Sequence, residues 1–144
     1  RNYEFPIVLY DYQHPDSNEN SIITYFDFYG LRVLLMGDAG VEAEAELMKK
    51  YPKLEVDVLK LGHHGSKTSS SLPFLHQLQP SLALISAGRN NRYGHPHQEV
   101  LEHLKQEHIT ALMTPKEGGI SIKFCKFFAF FKTASGEFGI IKHR

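Results

Sequence analysis

The chain has no excess charge of either sign: sixteen Lys and Arg balance sixteen Asp and Glu, leaving a formal net charge of zero with nine histidines uncounted. That balance removes a global basic field as an argument for nucleic acid, so any such contact has to be a local patch. One cysteine, Cys125, excludes an internal disulfide and a cysteine-rich zinc knuckle. Its apolar surroundings, Phe124 to Phe131, read it as a buried packing residue. No stretch approaches the roughly 20 apolar residues that cross a bilayer. The densest aromatic run, Phe127 to Phe131, is too short and is flanked by Lys126 and Lys132. The opening Arg1-Asn2-Tyr3-Glu4-Phe5-Pro6 has neither an initiating Met nor the apolar core of a leader, which suggests a piece of something longer.

What remains is ordinary globular composition, 42% hydrophobic and 22% charged over 144 residues, enough for one domain with its own core. Ser21 to Phe28 is rich in β-branched and aromatic residues and reads as a strand, turned at Tyr29-Gly30 into a second, nearly all-apolar strand, Leu31 to Met36. Gly37 to Gly40 ends it, and a helix follows over Val41 to Lys50, acidic at its start and basic at its end as the helix dipole favours. Val56 to Leu61 is the next strand. The Ser69-Ser70-Ser71 run caps a short helix ending at Leu78, before Pro80. Leu82 to Ser86 is a buried strand and Ala87 to His97 a polar loop. Gln98 to Glu107 forms a helix with Val100, Leu101 and Leu104 as its apolar stripe. Short strands are expected at Thr110 to Met113, Ile120 to Phe124 and Phe138 to Ile141. Strands alternating with helices make an α/β layered fold.

Three loops, each directly after a buried strand, hold Asp38, His63-His64 and His95-Pro96-His97. Ligand sites in open α/β sheets gather at the carboxyl ends of strands, so these loops bring an aspartate and imidazoles together. Carboxylate with imidazole suits zinc or manganese, and two such ions activate water for phosphodiester attack. Each element also has a plain structural explanation. Asp38 is a natural helix cap, His63-His64 a turn before Gly65, and His95 and His97 a polar lead-in to a helix. The remaining histidines, His14, His76, His103, His108 and His143, read as surface or structural. It is the combination that favours a site.

The run Leu59 to Ser69, with Gly62-His63-His64-Gly65-Ser66-Lys67-Thr68 at its centre, closely resembles the signature of the metallo-β-lactamase domain of the ComEC/Rec2 DNA internalization competence family. Gly88 to His97 resembles it too. Asn18 to Ser21, Leu34 to Asp38 and Thr114 to Ile120 are weaker matches, and the resemblance spans about His14 to Phe124. The aromatic segment beyond Phe124 resembles nothing identified. The resemblance implies the second half of an αββα sandwich, a mixed sheet flanked by helices, with residues 1–144 as a single partial domain. It implies metal ligation by Asp38, His64 and His95, with His97 competing for the last place. It implies catalytic support from His63 and His64, which exchange roles, and from Ser66 and Lys67. DNA contacts fall to Lys67, Arg89, Asn90, Asn91 and Arg92. The implied activity is metal-dependent hydrolysis of incoming, single-stranded DNA during transformation, using zinc or manganese.

The family's ligand-rich His-x-His-x-Asp-His motif is absent here. The expectation is therefore that this chain alone is inactive and holds no stable metal pair. Its partners would be DNA, the missing N-terminal half and a membrane channel region. An uncovered inner sheet face would make a homodimer. The chain reads as a soluble domain of a membrane protein, on the extracellular side. Two other functions stay open: a non-catalytic DNA-binding or channel-associated module, and another hydrolase of the same fold acting on a small ester or lactone.

Overall fold

The computed structural model describes residues 7–8 and 14–142. Strands β2 (Ile23–Phe28) and β3 (Leu31–Leu35) pair antiparallel, Thr24 opposite Leu35 through Phe28 opposite Leu31. Their two-residue turn, Tyr29-Gly30, has positive φ at both positions, 54° and 89°, the twist that suits a tight hairpin. The Asp27 carboxylate accepts the Gly30 N–H at 2.6 Å. β1 (Ile7–Val8) adds antiparallel to β2.

From β3 onward the strands run parallel: β4 (Val58–Lys60), β5 (Leu82–Ile85) and β6 (Ala111–Met113) follow in spatial order. The connections contain α1 (Val41–Lys50), α2 (Leu72–Leu78) and α3 (Gln98–Gln106). Strand order advances in one direction, and crossovers between parallel strands share one hand, so all three helices lie on the same face. There Ala43, Leu47, Phe74, Leu75, Leu78, Val100 and Leu104 pack on Ile23, Leu34, Leu59, Ala83 and Ile85.

The opposite face is covered from within the chain. After the single turn α4 (Thr114–Glu117), β7 (Ile120–Cys125), β8 (Phe128–Thr133) and β9 (Phe138–Lys142) form a separate antiparallel sheet. Its inward residues, among them Ile122, Phe124, Ala129, Phe131 and Ile141, pack on Leu31, Val33, Val58, Leu82 and Leu112 of the large sheet. The molecule is thus α/β, with a mixed sheet between a helical layer and a second sheet.

Four expectations need correction. The inner face of the large sheet is not left bare, because β7–β9 lie on it. β8 was not expected: Phe128 to Phe131 reads as an unbroken apolar run, whereas the structure alternates it, Ala129 inward and Phe128 outward. Cys125 ends β7 half-buried instead of in the core. The serine run does not cap α2 with a hydroxyl; the buried Glu44 carboxylate accepts the Ser70 and Ser71 N–H groups instead.

Candidate functional site

The parallel order of β3, β4 and β5 aligns their carboxyl ends, so the loops that follow share one rim of the sheet. Asp38 leaves β3 through Gly37, whose φ of +59° makes the turn. The Asp38 N–H donates to Ser21 Oγ at 3.2 Å. The helix-cap explanation of Asp38 fails, because α1 is capped at Gly40 and its Ala43 N–H is taken by the Glu19 carboxylate at 2.8 Å. The Asp38 carboxylate instead lies 3.6 Å from His64 Nε2, both side chains 48% exposed and accessible to a ligand.

His63 and His64 both adopt left-handed backbone, φ 43° and 57°, which costs an L-residue about 1–2 kcal/mol each. The surroundings over-determine this conformation. Gly62 is buried so tightly that a Cβ would overlap the Ala39 carbonyl oxygen, and the His63 N–H donates to Gly37 O at 3.1 Å. The Ser69 hydroxyl reaches Gly62 O at 2.8 Å and Ser66 O at 2.9 Å, tying the loop from below. On the far side, the Gly65 carbonyl accepts the His97 N–H at 3.0 Å and joins the second loop to the third.

The rings then meet. His63 and His95 centroids are 5.6 Å apart, His64 and His95 6.2 Å, and His95 and His97 4.8 Å. His64 Nδ1 lies 2.7 Å from the Ser86 carbonyl, which can only accept, so Nδ1 carries a proton and the lone pair of the neutral ring is on Nε2, toward Asp38. His97 is oriented oppositely: its Nδ1 accepts the Lys67 N–H at 2.9 Å, which puts the proton of the neutral ring on Nε2. Burial, then the neighbouring His97, His63 and His64, holds His95 below the ordinary imidazole pKa. His64, His95, Asn91, Tyr93, Ala87 and Gly88 line a cavity of about 170 Å³.

The polar residues divide into free and committed. Both N–H donors of the Asn91 amide are used on the Gly88 and His95 carbonyls, 2.8 and 2.7 Å, while its oxygen accepts the His95 N–H at 2.8 Å. Asn91 therefore clamps the loop that presents His95. Ser66 is 5% exposed, its hydroxyl 3.0 Å from that of Thr68. Lys67 and Asn90 are exposed, Arg89 Nε donates to Pro115 O at 3.3 Å, and the Arg92 guanidinium lies over the Tyr93 ring at 4.9 Å.

Two residues escaped the sequence reading. Ser86 sets the His64 tautomer through its carbonyl, which no side-chain pattern reports. Lys60 is half-buried beside the site, lining a groove of about 240 Å³ with Leu84, Ser86, Thr114 and Ile122. Burial lowers its pKa while the nearby Asp38 charge opposes that; the only hint in sequence was a lysine interrupting an apolar strand.

As a metal centre the set is partial. Carboxylate and imidazole are suitable donors, and His64 has the tautomer a ligand needs. Yet among the described residues no three His, Cys, Asp or Glu side chains are grouped to hold an ion.

No protein-family profile matches the chain. Individual relatives do. It is 45% identical over 107 residues to ComE operon protein 3 of Bacillus subtilis, covering 74% of this chain and 14% of the relative. It is 37% identical to Recombination protein 2 of Haemophilus influenzae, over 74% of this chain and 13% of that protein. It is also 37% identical to Competence protein ComA of Neisseria gonorrhoeae, over 73% and 15%. The chain thus spans well under a fifth of these relatives' length, and over that span it is similar to a ComE operon protein, a competence protein and a recombination protein.

Proposed function

We propose that this chain is the C-terminal part of a metallo-β-lactamase-fold domain in a competence protein, and that the full domain hydrolyses phosphodiester bonds of incoming DNA with a divalent metal. The observation that carries the reading is the meeting of Asp38 and His64, 3.6 Å apart, beside His63 and His95 at the ends of consecutive parallel strands. A mixed sheet with helices on one face and a second sheet on the other is consistent with half of an αββα sandwich. The relatives include a competence protein and a recombination protein, which agrees with a role in DNA uptake.

In this reading Asp38, His64 and His95 would each contribute a ligand to zinc or manganese, in a site that ligands from outside this chain would complete. A bound divalent ion supplies Lewis acidity at the phosphate. The chain's own residues do the rest. The Ser86 carbonyl keeps His64 Nε2 facing Asp38, and Asn91 holds the His95 loop. Lys67, Asn90, Arg89 and Arg92 contribute phosphate contacts. By this reading the parent places the domain on the outer side of a membrane; among the described residues no helix is long and apolar enough to cross one.

The test is zinc and manganese calorimetry and single-stranded DNA cleavage, for this chain and for the full-length parent. The expected result is two-metal binding and cleavage by the parent alone, with Asp38→Ala in the parent lowering kcat at least 100-fold. Metal-loaded parent that leaves DNA intact, or cuts it equally well as Asp38→Ala, sinks the reading.

A non-catalytic DNA-binding module is the second reading, favoured by the lack of a three-ligand group among the described residues. Lys67→Ala separates the two. It lowers affinity and the salt slope if the module only binds, and chiefly lowers turnover in the parent if it cuts.

A further inference from the structure

We propose that the outward face of the β7–β8–β9 sheet binds single-stranded nucleic acid. It shares a ligand class with the reading above but none of its residues.

Cross-strand register arranges this face in three rows. Ser121 lies beside Lys132, which lies beside Phe138; Lys123 beside Phe130 and Ile140; Cys125 beside Phe128 and Lys142. Each row holds one phenylalanine and one lysine. Rows two residues apart along a strand are about 7 Å apart. None of the nine positions carries a carboxylate. Lys126 and the 73%-exposed Phe127 extend the pattern at the turn between β7 and β8.

The face is accessible: the Phe138 and Phe128 rings are 64% and 40% exposed and the Ile140 side chain 59%, with Phe130 half-buried between them. Phe130 and Phe138 lie 5.7 Å apart, with the Lys123 ammonium 6.0 Å from the Phe130 centroid. Phe127, Phe128, Ile140 and Lys142 border an open groove of about 460 Å³.

Core packing does not account for these rings, because the inward partners on the same strands, Ala129, Phe131 and Ile141, already cover the large sheet. A ligand matching this face carries planar apolar groups alternating with negative charge at short pitch. Unpaired bases on a phosphate backbone have that character: bases stack on aromatic side chains while basic residues track the phosphates. A membrane-binding element instead segregates its apolar and basic residues so that one side inserts. Here each row mixes them. A duplex hides its base faces, so the face selects single strands.

The test is fluorescence anisotropy of a labelled 20-mer of thymidine with the 144-residue chain, beside three combined variants. The first is Lys123→Ala with Lys132→Ala and Lys142→Ala; exposed lysines on strand surfaces are replaced without loss of folding, which circular dichroism checks. The second is Phe128→Ala with Phe130→Ala and Phe138→Ala. The third, Lys67→Ala with Arg89→Ala and Arg92→Ala, removes charge from the histidine loops only. The lysine variant is expected to weaken binding at least tenfold and reduce the logarithmic salt slope by about 2, from about 0.7 per phosphate contact. The phenylalanine variant is expected to weaken it roughly tenfold per stacked base. Binding by the loop variant is expected to remain.

Unchanged affinity in both sheet variants overturns the proposal. If only the loop variant then loses binding, DNA contact stays with the histidine loops. An unmodified chain that ignores the 20-mer but binds vesicles of anionic phospholipid overturns it in favour of a membrane surface. One that ignores both and dimerises through this face makes it a self-association surface.

Discussion

Two buried carboxylates show how much a single group does here. Asp57, fully buried, accepts from Arg32 through Nε at 2.9 Å, NH2 at 3.0 Å and the backbone N–H at 2.8 Å. Removing it strands a guanidinium that is only 10% exposed, so Asp57→Ala is expected to cost about 3–5 kcal/mol in urea denaturation. Glu55 also pairs with Arg32 but is 73% exposed, and Glu55→Ala is expected to cost under about 1 kcal/mol. Glu44 is a different case. Burial raises its carboxyl from the ordinary 4.5 to about 7, opposed by hydrogen bonds from Ser71 and Ser70. The folded protein therefore keeps a proton that the unfolded chain releases between those values. The associated stability is complete below pH 4.5 and is lost as pH rises through 7, on the order of 3 kcal/mol at about 1.4 kcal/mol per unit. Glu44→Gln, which mimics the protonated acid, is expected to remove that slope, so the variant gains on wild type by up to about 3 kcal/mol between pH 5 and pH 7.5. A constant difference over that range refutes the account.

Among the elements, the Gly62–Gly65 turn sets the site. It presents two consecutive non-glycine residues in left-handed backbone, a conformation sustained by the contacts of Gly62 and Ser69, by the His64 bond to the Ser86 carbonyl and by its joint to the His97 loop. Gly62→Ala pushes a methyl group into the Ala39 carbonyl and is expected to destabilise the fold by about 1–3 kcal/mol. It should also separate Asp38 from His64, seen as a change in the His64 imidazole NMR shift. Gly119→Ala, where a Cβ meets no atom within 4 Å, is the control and is expected to change stability by under about 0.5 kcal/mol. The β3–α1 link follows the same logic: Gly40 packs against the Thr68 carbonyl and Glu19 carboxylate, so the Asp38 loop and the Lys67 loop hold each other.

At the scale of the molecule, the β7–β9 sheet acts as the lid of the second core. Deleting residues 120–142 uncovers Leu31, Val33, Val58, Leu82 and Leu112 together, an apolar patch that a stable monomer does not carry. The truncated chain is expected to aggregate or bind a hydrophobic dye strongly in light scattering and fluorescence assays. The phenylalanine surface variant is expected to stay monodisperse.

Strands β2 to β6 of the large sheet, the three helices and the loops bearing Asp38, His63-His64 and His95 were legible in sequence, whereas β1 was not. Burial on both faces makes β3 to β5 apolar runs, and polar residues gather where those runs stop. The chemistry of the site was legible as residue types. Which nitrogen faces Asp38, that Asn91 serves as a clamp, and that the Lys67 N–H occupies His97 Nδ1 were not, because each depends on a backbone carbonyl or N–H elsewhere in the loops. Strand β8 was hidden for a similar reason: both of its faces are aromatic, one for the core and one for solvent, so no period of two survives in the residue types. Sequence alone determined strands β2 to β7 and β9 and helices α1 to α3, because local periodicity and turn residues decide them. Only the tertiary structure decided what covers the inner face and which polar atoms remain available, because both follow from contacts between segments far apart in the chain.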